Sequence, residues 1–234
     1  MRFQHWRAIR AEIQRHQRYK GLSPEDIFQT IYKEKGWGTK GDQPFFSGTG
    51  SHVSPIIQPY VEAVKEVLRS YSVRPPVVLD IGAGDFAVGQ LLVDCVSHYQ
   101  ACDIVPELQA YNSAKYKISN VSFTTLNAIS DKLPPADIVI VRQVFQHLSN
   151  HQIQSILVKL YEYDCWIITE HVPRGKQYTP NIDIHAGCGV RLLFGSGVDL
   201  QRSPFNIQGY SVKSLVEVND SLGVIRTLLF QRCK

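Results

Sequence analysis

From Pro76 onward, short apolar runs alternate with amphipathic stretches. "VVLDI" (77–81), "YQACDI" (99–104), "VSFTTL" (121–126), "ADIVIVRQV" (136–144) and "CWIITEHV" (165–172) read as strands. Between them, residues 85–97, 106–117 and 150–163 read as helices. Near-continuous Val/Ile strands separated by helices predict a parallel sheet covered on both faces. The end of the chain differs. "YSVKSLVEV" (210–218), the turn signal "NDSLG" (219–223) and "VIRTLLFQR" (224–232) predict a β-hairpin, hence antiparallel pairing.

Residues 1–72 form a helical lead-in to this pattern. Phe3, Trp6, Ile9 and Ile13 fall at roughly helical spacing and predict a helix over 2–19. A second helix opens at Ser23, a good cap, followed by Pro24 at the first helical position and by Glu25 and Asp26 at the positive dipole end. A third spans 54–71, with Ser54 as its expected cap and Pro55 after it. Between the second and third lies "GWGTKGDQPFFSGTGSH" (36–52), too rich in glycine for a regular element. A long loop of this kind is expected to be a lid or a binding loop.

Composition sets outer bounds. A chain of 234 residues with 44% hydrophobic and 20% charged positions fits one domain with an extension, or two small ones. No run of 18 apolar residues predicts a membrane span, and the N-terminus lacks the apolar core of a secretion signal. Five scattered cysteines without a CxxC pair are expected as reduced thiols, which points to the cytoplasm. The net charge of +4 is concentrated at the start, where residues 1–20 hold six basic side chains and one acidic one. That segment could face RNA or another anion; a solvated basic face on a docked helix is the simpler reading. His185 and Cys188 lie close in sequence but lack a second ligand pair, so no metal site is expected.

The candidate chemistry starts at "PVVLDIGAGDFAVGQLL" (76–92), read as strand, tight turn and helix. Gly82, Gly84 and Ala87 satisfy a dinucleotide fingerprint, which leaves NAD and S-adenosylmethionine both open. A diphosphate needs free N–H groups at a helix N-terminus; Asp85, directly after the second glycine, would cap that helix itself and repel the ligand. S-adenosylmethionine carries no phosphate, and Asp80 offers negative charge to its cationic part. Asp103, at the end of the second strand, is placed for ribose hydroxyls and suits either cofactor. One parallel sheet closed by an antiparallel hairpin leaves no room for a second nucleotide-binding half, which favours S-adenosylmethionine.

Residues 76–233 resemble the class I S-adenosylmethionine-dependent methyltransferases. The resemblance rests on "VLDIGAGDF", "CDIVPEL", "TLNAISDKLPPADIVIVRQVFQHLSNHQIQSIL", "WIITEH" and the closing hairpin. It implies an α/β, Rossmann-like, seven-stranded and mostly parallel sheet whose last strand inserts antiparallel, here behind a helical N-terminal extension. "IYKEKGWG" and "SGTGS" also resemble the N-terminal segment of bacterial members acting on small molecules or sugars. Where many members carry an acid–Ala pair after the third strand, this chain has Asn127–Ala128; the Asn carbonyl is expected to meet the adenine amino group. Asp80, Gly82, Gly84, Asp103, Ile104, Asn127, Ala128 and Arg142 thus form the expected cofactor site, with Tyr32, Trp37, Gly48 and Ser51 from the lead-in. Tyr32, Trp37, Phe45 and Phe46 are expected either to close over the cofactor, where an aromatic face could meet the sulfonium, or to pack the lead-in.

Methyl transfer to oxygen or nitrogen requires alignment of nucleophile, methyl and sulfur, and a base helps when the acceptor is a hydroxyl. His147, after the fourth strand, is the first candidate base; His171 and Glu170, after the fifth, are next. Segment 180–205 is expected to form the acceptor-side wall, with Asp183, His185 and Arg191 as substrate contacts. The expected acceptor is a small polar molecule. An RNA substrate and a non-catalytic binding protein with the same fold are the alternatives.

Overall fold

A computed structural model describes residues 10, 13, 14, 17–175 and 177–233. The helix expected over 2–19, and most of its arginines, lie largely outside the described residues. Seven strands follow the predicted runs: β1 (Val77–Ile81), β2 (His98–Asp103), β3 (Val121–Thr125), β4 (Ile138–Arg142), β5 (Cys165–Val172), β6 (Tyr210–Asn219) and β7 (Val224–Arg232). They form one sheet in the order β3-β2-β1-β4-β5-β7-β6. β1 to β5 are parallel, and β7 inserts antiparallel between β5 and the edge strand β6. Chain direction from β1 runs outward through β2 to β3, then returns to β4 on the other side. The ends of β1 and β4 therefore flank a switch point, where a crevice opens at the carboxyl end of the sheet.

Alternation along the strands divides the core in two. Leu79, Ile81, Val139, Val141, Trp166 and Phe230 face one layer, together with helix α1 (Pro24–Lys33) and helix α4 (Asn150–Leu160). Val78, Ile138, Ile140, Ile167 and Leu229 face the other, with helix α2 (Ser54–Arg69). Helix α3 (Pro106–Lys115) buries Leu108 in the first layer. The lead-in helices thus pack directly on the sheet. Ser23 caps α1 as expected, but Ser54 is the first residue of α2 and Val53 takes the cap position.

The helix expected over 85–97 does not form. Two short 3-10 turns, Gly89–Leu91 and Val93–Cys95, take its place. Phe86 adopts a left-handed backbone, φ 60°, which halts a helix at its second residue. Burial explains that strain, because the Phe86 ring packs edge-on against Tyr99, Tyr116 and Phe123.

Segment 180–205 is pinned to the connection between β4 and α4 by a buried arginine. The Arg191 guanidinium donates to the carbonyls of Phe145 (2.8 Å), Leu148 (2.7 Å) and Ile182 (3.0 Å), and to Asn150 Oδ1 (2.9 Å). Asp183 serves the same junction: its Oδ1 accepts from Asn150 N (2.7 Å) at the start of α4, beside the Ser149–Gln152 capping box. Neither side chain lines the central cavity, so both are structural, contrary to their expected role as substrate contacts. Arg191→Met should leave three buried carbonyls without their donor and cost about 3 kcal/mol or more. Urea unfolding followed by tryptophan fluorescence checks this; a loss below about 1 kcal/mol would show that water replaces the guanidinium.

Candidate active site

The turn after β1 is closed on itself. Gly82 and Gly84 take left-handed conformations, φ 73° and 58°. A side chain on Gly82 would put Cβ 2.4 Å from Val144 Cγ2, and one on Gly84 would put it 2.5 Å from Ser47 Oγ. Every backbone N–H from Gly82 to Ala87 has a partner inside the protein. Gly82 N and Ala83 N donate to Cys102 O (2.8 and 2.9 Å), and Gly84 N to Asp103 Oδ2 (3.1 Å). Asp85 N donates to Ser47 Oγ (2.8 Å), Phe86 N to Ala83 O (3.2 Å) and Ala87 N to Asp85 Oδ1 (3.2 Å). No α-helix follows, so neither free donors nor a helix dipole await a diphosphate.

Asp85 caps no helix; it holds loop 36–52 against this turn. Its Oδ2 accepts from Ser47 N (3.0 Å) and lies 2.6 Å from His52 Nε2. Ser47 Oγ also meets the Tyr32 hydroxyl at 2.9 Å. Arg142, at the end of β4, clasps the far end of the loop through Gly50 O (2.7 Å) and Ser51 Oγ (3.2 Å). Its guanidinium lies over the Tyr60 ring, 5.0 Å from the centroid.

Turn and loop enclose a cavity of about 360 Å³ above the carboxyl ends of β1, β2, β4 and β5. All twelve of the expected cofactor residues line it: Tyr32, Trp37, Gly48, Ser51, Asp80, Gly82, Gly84, Asp103, Ile104, Asn127, Ala128 and Arg142. Ser47, Gly50, Tyr60, Tyr99, Gln143 and Gln146 line it as well and were not legible in advance. Phe45 and Phe46 do not. Phe45 packs on Tyr32 and Tyr111, and Phe46 stacks on His52 at 4.6 Å.

The cavity is charged in an ordered way. Asp80 is buried, and its Oδ2 accepts from the Tyr99 hydroxyl (2.8 Å). Desolvation raises its pKa to about 7, against the opposing pull of the Tyr99 bond and Arg142. Burial likewise raises Asp103 to about 6, although Gly84 N and Val105 N donate to it. Arg142 is lowered by burial and sustained by Tyr60 and Asp80; its Nε has no hydrogen-bond partner among the described residues. Asn127 is already engaged: its Oδ1 accepts from Ile129 N (2.9 Å) and its Nδ2 bonds Glu25 of α1.

The other end of the cavity is lined by Trp37, Gln146, His147, His171, Cys188, Val190, Asp220, Leu222 and Ile225. His147 is clamped. Nδ1 lies 3.1 Å from the Gly189 carbonyl and must donate to it, which leaves Nε2 as the acceptor facing the Gln146 amide at 3.2 Å. Desolvation lowers its pKa to about 4. His171, at the end of β5, is held by no such bond. Glu170 beside it points elsewhere, its carboxylate accepting from Phe145 N and Gln146 N (both 2.9 Å), and burial raises it to about 8. Of segment 180–205, only Cys188 and Val190 reach the cavity; His185 is not among its lining residues. Among the described residues no group of three or more His, Cys, Asp or Glu is placed to hold a metal, and no helix is long and apolar enough to cross a membrane.

No family model and no curated protein matches the chain in sequence. Solved structures match its fold. Magnesium protoporphyrin IX methyltransferase from Synechocystis PCC 6803, with bound S-adenosylmethionine, aligns at TM-score 0.62 and 14% identity over 92% of this chain and 99% of that one. The N-methyltransferase NodS from Bradyrhizobium japonicum WM9, in complex with S-adenosyl-L-homocysteine, aligns at 0.65 and 13% over 89% and 100%. The CurJ carbon methyltransferase aligns at 0.56 and 15% over 92% and 61%. The chain has the Rossmann-like fold of the class I methyltransferases.

The buried carboxylates make stability depend on pH. Asp80 and Glu170 have folded-state pKa values raised to about 7 and about 8, so their contribution is complete below the ordinary carboxylate range and is lost as pH rises through those values. Between pH 6.5 and 8.5 the urea midpoint of the ligand-free protein should therefore fall. Asp80→Asn should flatten the lower part of that slope; an identical slope in the variant would show that Asp80 does not titrate there.

Proposed function

We propose that this chain is an S-adenosylmethionine-dependent methyltransferase acting on a small-molecule acceptor. The observation that carries the reading is the closed turn at Gly82–Ala87. Its N–H groups are spent inside the protein, so the cavity beside it suits a ligand without phosphate. What the cavity offers instead is two buried carboxylates and one buried guanidinium. S-adenosylmethionine has complementary groups, and structures of the same fold hold it or its product.

The residues present fit that cofactor. Asp80 would hold the ammonium, Arg142 with its unpartnered Nε the carboxylate, and Asp103 the ribose hydroxyls. Ile104, Ala128 and Ile129 would flank the base, with Asn127, fixed by Glu25, at its edge. When bound, the cofactor supplies an electrophilic methyl group on a sulfonium that leaves as a neutral thioether. The chain's own work is alignment and exclusion of water. Loop 36–52 closes the cavity from above, tied at Asp85 and Arg142. His147, neutral with Nδ1 donating to Gly189 and Nε2 facing the Gln146 amide, shapes the acceptor end of the cavity and stays unprotonated at Nε2 near neutral pH.

Four measurements test this. Calorimetry should show S-adenosylmethionine and S-adenosylhomocysteine binding and NAD not; the reverse would sink the proposal. Affinity should rise with pH through about 6 to 7, because the ligand ammonium favours charged Asp80, hydrogen bonds from the ribose hydroxyls favour charged Asp103, and both protons are expelled. Asp103→Ala should lose two charge-assisted bonds to the ribose and weaken binding at least ~tenfold; unchanged affinity removes Asp103 from the site. Finally, Asp85→Ala should free loop 36–52 and speed its proteolysis in the ligand-free protein. Cleavage as slow as in the parent would mean that the Asp85 contacts do not hold the loop.

A further inference from the structure

The turn joining β6 to β7 reaches into the cavity. Asp220, Leu222 and Ile225 line it next to His171, the penultimate residue of β5. The register of the sheet fixes this juxtaposition, since His171 pairs with Ile225 and Val172 with Val224. The turn is tight: Asp220 N donates to Gly223 O at 3.0 Å, and Arg174 bonds the Asp220 carbonyl from outside. Gly223 lies close against the His171 ring. A Cβ there would lie 3.2 Å from both Cδ2 and Nε2 of the ring, and 2.3 Å from Val172 O. The turn is thus shaped around the imidazole.

His171 is 8% exposed, and its Nε2 makes no hydrogen bond among the described residues. Asp220 Oδ2 stands 3.5 Å from that nitrogen, with its side chain 28% exposed. A buried, unbonded ring nitrogen facing a partly solvated carboxylate differs from the arrangement at His147. There both nitrogens are occupied.

We infer that His171 Nε2 takes the proton of a hydroxyl-bearing aromatic or enolic acceptor, with Asp220 holding the imidazolium that forms. This rests on the methyltransferase reading above. As the acceptor oxygen bonds the methyl carbon, the carbon–sulfur bond breaks and its electron pair stays on sulfur. The hydroxyl proton passes to His171 Nε2 and leaves to solvent along the exposed edge of Asp220. Charge balances: a neutral hydroxyl and a cationic donor become a neutral ether, a neutral thioether and one released proton. The acceptor class follows from the wall. Val190, Leu222 and Ile225 are apolar and Trp37 offers an indole face, surfaces that suit a flat ring. Burial lowers the basicity of His171, with Asp220 opposing that loss, and a weak base is matched to the more acidic hydroxyl of a phenol or enol than to an alkyl alcohol. Glu170 and Arg174 are the other charged groups beside His171 in sequence; Glu170 is committed to backbone N–H groups and Arg174 to the turn.

The test uses the full chain loaded with S-adenosylhomocysteine and 4-nitrophenol as probe, whose ionisation is read by absorbance. Saturation with S-adenosylhomocysteine is verified first by calorimetry. The bound probe should ionise at least about tenfold more readily than the free one, because the phenolate would lie beside the imidazolium formed at His171, whose opposite charge favours it. His171→Gln should abolish that shift while leaving S-adenosylhomocysteine affinity within about threefold. Asp220→Asn, at a partly exposed position that tolerates the change, should reduce it. The proposal is overturned if the probe ionises equally in parent and His171→Gln, if Asp220→Asn leaves the shift whole, or if the loaded protein does not bind the probe. Failure to bind S-adenosylhomocysteine would instead strike the methyltransferase reading itself, and this inference with it.

Discussion

Asp85 is the residue on which the site's geometry depends. One carboxylate oxygen joins Ser47 and His52 of the loop, and the other takes Ala87 N. Its own N–H returns to Ser47 Oγ. The glycine turn and the loop are therefore one hydrogen-bonded unit, closed further by Cys102 O and Asp103 beneath it. Had Asp85 capped a helix, the turn would present free donors and a positive dipole to the cavity. Because it bonds sideways, those donors are consumed, and the cavity recognises ligands through side-chain charge.

That exchange explains the unusual ionisation of the cavity. Asp80 and Asp103 are held where desolvation works against their charge, with Arg142 the nearby compensating cation. An apolar ligand would leave this set strained. A zwitterion with a further positive centre would relieve it, because each charge in the wall gains a partner. Arg142 also grips Gly50 and Ser51, so ligand charge and loop position act on the same guanidinium.

Much of this was legible in the sequence, for identifiable reasons. Strands with continuous Val/Ile runs were placed to within a residue or two, and β5 spans the full run "CWIITEHV". The hairpin and its antiparallel insertion followed from the turn signal. The twelve positions expected to hold the cofactor converge on one cavity because strand ends and their following turns are fixed by topology. Failures came where long-range packing overrode local pattern. Residues 85–97 have helical spacing, but the aromatic cluster around Phe86 forces a left-handed residue. Asp183 and Arg191 look like substrate ligands in a glycine-rich segment, yet their partners are main-chain groups of α4 and its approach, some 30 to 46 positions away. No local signal encodes such pairings. Ser47 and Gln146 were missed for the same reason.

The two histidines differ in what the fold leaves their ring nitrogens free to do. His171 is buried near the end of β5, His147 is half-buried just after β4, and burial lowers the basicity of both. They differ in their second contacts. His147 gives Nδ1 to Gly189 and meets Gln146 with Nε2, so its orientation is fixed and its capacity for new bonds is small. His171 keeps Nε2 unbonded beside a carboxylate that belongs to the hairpin, the element that distinguishes this sheet from a purely parallel one. Structures sharing the fold include an N-methyltransferase and a carbon methyltransferase, so the sheet itself does not choose the accepting atom. The choice belongs to the wall around the acceptor. In this chain the β6–β7 turn lines the cavity beside His171, and Gly223 is what allows it to lie against the imidazole.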